Sequence, residues 1–117
     1  MALNNLIDGT TFAELQATAG AEFVVELVDT FAEEAPQMLG ELREAYAAGA
    51  AERFRRAAHS LKSNSATFGA SRLAEMARTL ELGGMPADSG AVQALEAELA
   101  ATVAELRERA QAGAGDA

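Results

Sequence analysis

Apolar residues recur along most of the chain at alternating spacings of three and four, the period of one face of an α-helix. The longest such stripe is Val24, Val28, Phe31, Ala35, Met38, Leu42 and Ala45, which predicts a helix over about 21–47. Pro36 falls inside it. A mid-helix proline removes one backbone hydrogen bond, and because the stripe keeps its phase across Pro36, a kink is expected rather than a break. Phe54, Ala58, Leu61, Ser65 and Phe68 predict a third helix over about 50–67, which Gly69 is placed to end in a left-handed conformation. Ala70, Leu73, Ala77 and Leu80 predict a fourth over about 70–82, halted by Gly83-Gly84. A loop to about Ala87 contains Pro86. Asp88 or Ser89 is then the expected cap of a last helix with Val92, Leu95, Leu99, Val103, Leu106 and Ala110 inward.

Ahead of these four lies a shorter pattern, about 10–18, with Phe12 and Leu15 on one side and Thr10 or Thr11 as the expected cap. No segment alternates with the period of a strand. The short connections make consecutive helices antiparallel neighbours. The predicted fold is therefore all-α: an antiparallel up-down four-helix bundle, with a short additional N-terminal helix across one end. Residues 1–117 suit a single domain with one core of ordinary size, and a tail from about 112 to 117, rich in glycine and alanine, is expected to fray.

Composition narrows the function. Without cysteine there is no disulfide, thiolate metal site or cysteine nucleophile, which fits a reducing compartment. The first residues lack the basic flank and long apolar run of a signal peptide, and no stretch reaches the roughly 18 apolar residues of a membrane span. A cytoplasmic location is the expectation. A net charge of −9 argues against nucleic acid and anionic membranes as partners, since both are bound through basic surfaces. The charge is uneven, however. Arg53, Arg55, Arg56, Lys62, Arg72 and Arg78 stand against Glu75 alone between residues 53 and 78, a local +5 that leaves −14 elsewhere. Such a segment is either a solvated face balancing acidic neighbours or a docking site for something acidic.

The same segment holds the one histidine. On a wheel of about 100° per residue with the core stripe of the third helix at 0°, His59 falls near 140°, facing solvent. Its neighbours at three and four residues are Arg55, Arg56, Lys62 and Ser63, with Ala66 a turn further on. The sole histidine and the sole lysine thus share a cationic row bordered by small residues, a setting that would favour an anion.

The stretch AAHSLKSNSATFGASRLAEMARTLEL, residues 57–82, resembles the signature of the bacterial histidine-phosphotransfer (HPt) domains. That signature is a histidine, a leucine two later, a lysine three later, a small residue four later, then glycine-alanine, leucine and leucine-glutamate. Here these are His59, Leu61, Lys62, Ser63, Gly69-Ala70, Leu73 and Leu80-Glu81. The resemblance implies that His59 is phosphorylated on its outer ring nitrogen, that Lys62 sits near the phosphoryl oxygens, and that Ser63, where the family most often has glycine, leaves room for the partner. It also implies the partners: receiver domains of response regulators and of hybrid histidine kinases, whose acidic pocket carries an aspartyl phosphate and magnesium. Arg55, Arg56, Ser63 and Ala66 are the expected docking residues.

The chemistry is consistent with this. A neutral imidazole is nucleophilic near pH 7, and phosphoryl transfer demands chiefly in-line positioning and neutralisation of charge on the equatorial oxygens. The chain is expected to have no cofactor of its own. Arg56 occupies the place where a glutamate would complete a Glu-x-x-His pair, which argues against a di-iron bundle. No glycine-rich phosphate loop or kinase-like ATP site is present either. The expectation is a monomeric carrier that relays phosphate but does not draw it from ATP. The alternative is a non-catalytic helical adaptor that sequesters receiver domains, which would not need a reactive histidine. A small-molecule enzyme is disfavoured by the scarcity of clustered polar residues.

Overall fold

The computed structural model describes residues 6–115. They form five helices and no strand: α1 (Gly9–Ala19), α2 (Ala21–Ala48), α3 (Ala51–Thr67), α4 (Ser71–Gly83) and α5 (Gly90–Gly115). The last four make the bundle. α3 packs most extensively on α4 and on α2, α2 also packs on α5, and α1 lies against α2.

The buried positions follow the sequence stripes with two exchanges. In α2 the inward line is Val24, Val28, Phe31, Ala35, Leu39, Leu42 and Ala45, so Leu39 takes the place expected for Met38, which is half-buried against the core. In α5 Thr102 is fully buried and Val103 only partly, the reverse of the expected preference for the apolar neighbour. Both exchanges are between adjacent residues, 100° apart on the wheel, where the spacing of three and four admits either one. α2 runs unbroken through Pro36, as the continuous stripe requires.

The cap of α1 is Asp8 rather than Thr10 or Thr11. Its carboxylate accepts hydrogen bonds from both threonine amides, and Thr11 Oγ1 also donates to it at 3.1 Å. An aspartate before two threonines supplies the better acceptor, and the helix begins earlier as a result. At the other end α5 is helical to Gly115, beyond the point where fraying was expected; residues 116 and 117 lie outside the described residues.

The turn from α3 to α4 fixes the register of the site. Gly69 has φ +76°, the amide of Gly69 bonds to Ala66 O and that of Ala70 to Ser65 O, the two bonds of a Schellman ending. A Cβ on Gly69 would come within 2.9 Å of Asp8 O and 3.0 Å of Thr11 Cβ, so the turn also seats the start of α1, whose Asp8 amide donates to Gly69 O at 2.7 Å.

Leu61 is completely buried whereas the His59 side chain is 54 % exposed, two residues away on the same helix. Leu61→Ala is expected to cost about 2–5 kcal/mol as a large-to-small core change. His59→Ala should cost only about 0.5 kcal/mol. Urea denaturation of the two variants checks this, and equal losses would contradict the placement of His59.

Candidate functional site

His59 stands in the middle of α3, between Ala58 and Leu61, both fully buried, so the helix is held while the imidazole projects outward. Its partner comes from α4. His59 and Glu81 lie equally far before and after Ala70, and the tight antiparallel turn brings them face to face. The Glu81 side chain is only 9 % exposed. One of its oxygens lies 2.7 Å from His59 Nδ1, and the other lies 3.0 Å from Lys62 Nζ. Lys62 is 29 % exposed, its stem covered and its ammonium turned toward α4.

The Lys62 ammonium, and next the His59 ring, hold the Glu81 carboxyl below the usual carboxylate range, against the opposing effect of burial. At neutral pH Glu81 is thus ionised and can only accept hydrogen bonds. The proton of a neutral His59 must therefore sit on Nδ1, which leaves the lone pair on Nε2, a nitrogen with no hydrogen-bond partner among the described residues. The carboxylate thereby selects one tautomer and fixes the plane of the ring. Because the Glu81 pKa is lowered on folding, its contribution to stability is present at neutral pH. That contribution is lost as the pH falls through the folded-state pKa, below the ordinary carboxylate range.

Glu81 entered the sequence motif only as the partner of Leu80 in a leucine-glutamate pair, without a role. The signal that could have found it is the symmetry of the hairpin about Ala70, which sets residue 59 opposite residue 81.

The other predicted site residues occupy two flanks of His59. Ser63 and Ala66 are exposed on the C-terminal side, as the wheel placed them. Arg55 is exposed but forms an ion pair with Glu52, its helical neighbour. Arg56 faces the opposite flank, where it lines a groove between α2 and α3 with Glu41, Glu44, Arg53, Ala57 and Ser60. Among the described residues Arg56 makes no ion pair.

The basic segment is less cationic in the fold than in the sequence. Arg53 lies 3.9 Å from Glu44, Arg72 lies 3.3 Å from Glu98 and Arg78 lies 3.8 Å from Glu75, while Lys62 is held by Glu81. Acidic residues distant in sequence are brought back by α2, α4 and α5. The segment is thus in large part a balanced face, and the cation left beside His59 is Arg56.

Among the described residues no group of three or more histidine, aspartate or glutamate side chains is close enough to hold a metal ion, and no helix is long and apolar enough to cross a membrane. No curated protein and no solved structure matches the chain. A family model, that of the Hpt domain, matches residues 26–108, from the first turns of α2 to the last third of α5, and so takes in His59, Lys62 and Glu81. With the bundle and the match in agreement over most of its length, the chain belongs to the Hpt domain family, the phosphocarrier modules of phosphorelay signalling.

Proposed function

We propose that the chain relays a phosphoryl group between receiver-domain aspartates, from a hybrid sensor kinase to a response regulator, through Nε2 of His59. The observation that carries this is the 2.7 Å contact between Glu81 and Nδ1, which leaves Nε2 as the nucleophilic nitrogen on an exposed face of α3. In transfer from a phosphorylated receiver, the Nε2 lone pair forms the N–P bond as the aspartyl O–P bond breaks, and the departing electron pair stays on the receiver's carboxylate. Delivery to the next receiver runs the same step backwards.

The magnesium ion is assigned to the receiver, whose acidic pocket supplies the ligands that this face does not offer. Lys62 adds one cation from the carrier side to the equatorial oxygens. The same proposal makes the chain a monomer, since a single exposed histidine is sufficient for relay, and a cytoplasmic one, because the proposed receiver partners are cytoplasmic domains. Incubation with a phosphorylated receiver domain, followed by mapping of the phosphorylated residue by mass spectrometry, tests the assignment. Phosphate on His59 supports it, and phosphate only on a serine or threonine would refute it.

Lys62→Ala is expected to reduce the transfer rate about 10- to 100-fold, less than the roughly 100- to 1,000-fold seen when an enclosed oxyanion site loses a donor, because water can partly replace an exposed ammonium. Receiver affinity should change little. Rapid-quench transfer kinetics together with a binding titration separate the two quantities.

A further inference from the structure

Ser65, Thr67 and Thr79 each donate to the carbonyl of the residue four before, that of Leu61 at 2.6 Å, of Ser63 at 3.2 Å and of Glu75 at 3.1 Å. Such a back-bond satisfies a helical hydroxyl within its own helix. Thr102 on α5 is fully buried, and its Oγ1 bonds neither to the carbonyl of Glu98 nor to any other group among the described residues. Its hydroxyl is turned elsewhere.

Glu98 stands one turn before Thr102 on α5. Its side chain is 10 % exposed, one oxygen lies 3.3 Å from an Arg72 nitrogen on α4, and the other, Oε2, is buried with no hydrogen-bond partner among the described residues. Residues four apart on a helix have their Cβ atoms about 5–6 Å apart, which is the reach of two hydrogen bonds end to end.

A third orphaned group comes from α4, whose N-terminus has no side-chain cap. Leu73 is fully buried. The carbonyl four before it, Gly69 O, already accepts from the amides of Asp8 at 2.7 Å and Ser71 at 2.8 Å, and the Leu73 amide has no acceptor among the described residues. Free amides at a helix start point back along the axis. The Arg72–Glu98 ion pair sets this first turn beside Glu98. Because α5 runs antiparallel to α4, Thr102 lies on the side to which the amides point.

We propose that one ordered water joins these three groups, accepting from the Leu73 amide and the Thr102 hydroxyl and donating to Glu98 Oε2. Buried polar groups are rarely left unpaired, and a buried water typically makes about three hydrogen bonds. A metal ion does not suit the place, since the amide hydrogen would point at its charge. The water serves as the cap that α4 lacks and ties the first turn of that helix, which brings Glu81 to His59, to α5. The inference is independent of the chemistry at His59.

The test is a high-resolution crystal structure of the full chain, combined with urea denaturation of the wild type and Thr102→Val. Valine keeps the shape of threonine and removes the hydroxyl. The expected result is a water within hydrogen-bond distance of Leu73 N, Glu98 Oε2 and Thr102 Oγ1. The folding equilibrium constant of Thr102→Val should be about fivefold lower, the loss that accompanies a hydrogen bond that is made. An unsatisfied hydroxyl gives the opposite sign, because replacing an orphaned buried polar group by a methyl raises stability. A wild-type crystal without this water, or a folding constant in Thr102→Val equal to or above that of the wild type, would overturn the proposal. If Thr102→Val does not fold, Thr102→Ser takes its place: it retains the hydroxyl and should retain the water in its crystal structure, and a serine variant without that water would overturn the proposal.

Discussion

His59→Gln is expected to abolish phosphoryl acceptance from a phosphorylated receiver while leaving the helical circular-dichroism spectrum unchanged. The chemical half follows from the inventory of the chain: there is one histidine and no cysteine, and an amide nitrogen has no lone pair available for attack on phosphorus. The structural half follows from exposure. Among the described residues the imidazole makes one hydrogen bond, to Glu81, and Glu81 keeps Lys62 when the ring is gone. The loss in stability should stay within about 0.5 kcal/mol, the usual range for a surface substitution. The wild-type product should be labile in acid and persist in alkali, as a phosphoramidate does. Autoradiography after acid and alkali treatment reads both properties. Phosphate retained by His59→Gln would show that another residue is the acceptor.

The helices and the outward direction of His59 were legible because both depend on periodicity, and a stripe such as Phe54, Ala58, Leu61, Ser65 survives any single ambiguous position. What was not legible depends on adjacency or on distant partners. Leu39 against Met38 and Thr102 against Val103 are choices between neighbours that differ by one step of the wheel. Hydropathy cannot decide them, because the packing of the opposite helix does. That Thr102 is buried with its hydroxyl unpaired among the described residues is a feature no polarity pattern would suggest.

The charge pattern left two readings open for a related reason. A local excess of arginine is a statement about sequence neighbours, whereas Glu44, Glu81 and Glu98 reach the segment only through the antiparallel packing of α2, α4 and α5. The same packing delivers Glu81 to His59. The most informative residue of the site thus lay in the motif without a role until the α3–α4 turn placed it.

Ser63→Trp and Ala66→Trp are each expected to block phosphoryl transfer and receiver binding with almost no effect on folding. A receiver must bring its aspartate into line with Nε2, so the surface C-terminal to His59 on α3 has to be low. Ser63 lies one turn beyond His59 and Ala66 about two, and both are exposed. An indole at either position would stand between the ring and an approaching domain, and in-line geometry tolerates little displacement: a shift of about 1 Å can cost about 100-fold in rate. Because neither side chain packs against the core, the unfolding free energy should move by less than about 0.5 kcal/mol. Lys62→Ala provides the contrast, since it removes charge without raising the surface, and should slow transfer while sparing affinity. The balanced ion pairs around the site predict that salt weakens wild-type binding only modestly, with Arg56 contributing most of the dependence. Receiver affinity by calorimetry and transfer rate by rapid quench, measured for the two tryptophan variants beside Lys62→Ala and the wild type, separate obstruction from lost chemistry. If both tryptophan variants bind and transfer at the wild-type rate, the receiver approaches His59 from the α2 flank, over Arg56 and Ser60, and not along the Ser63–Ala66 line.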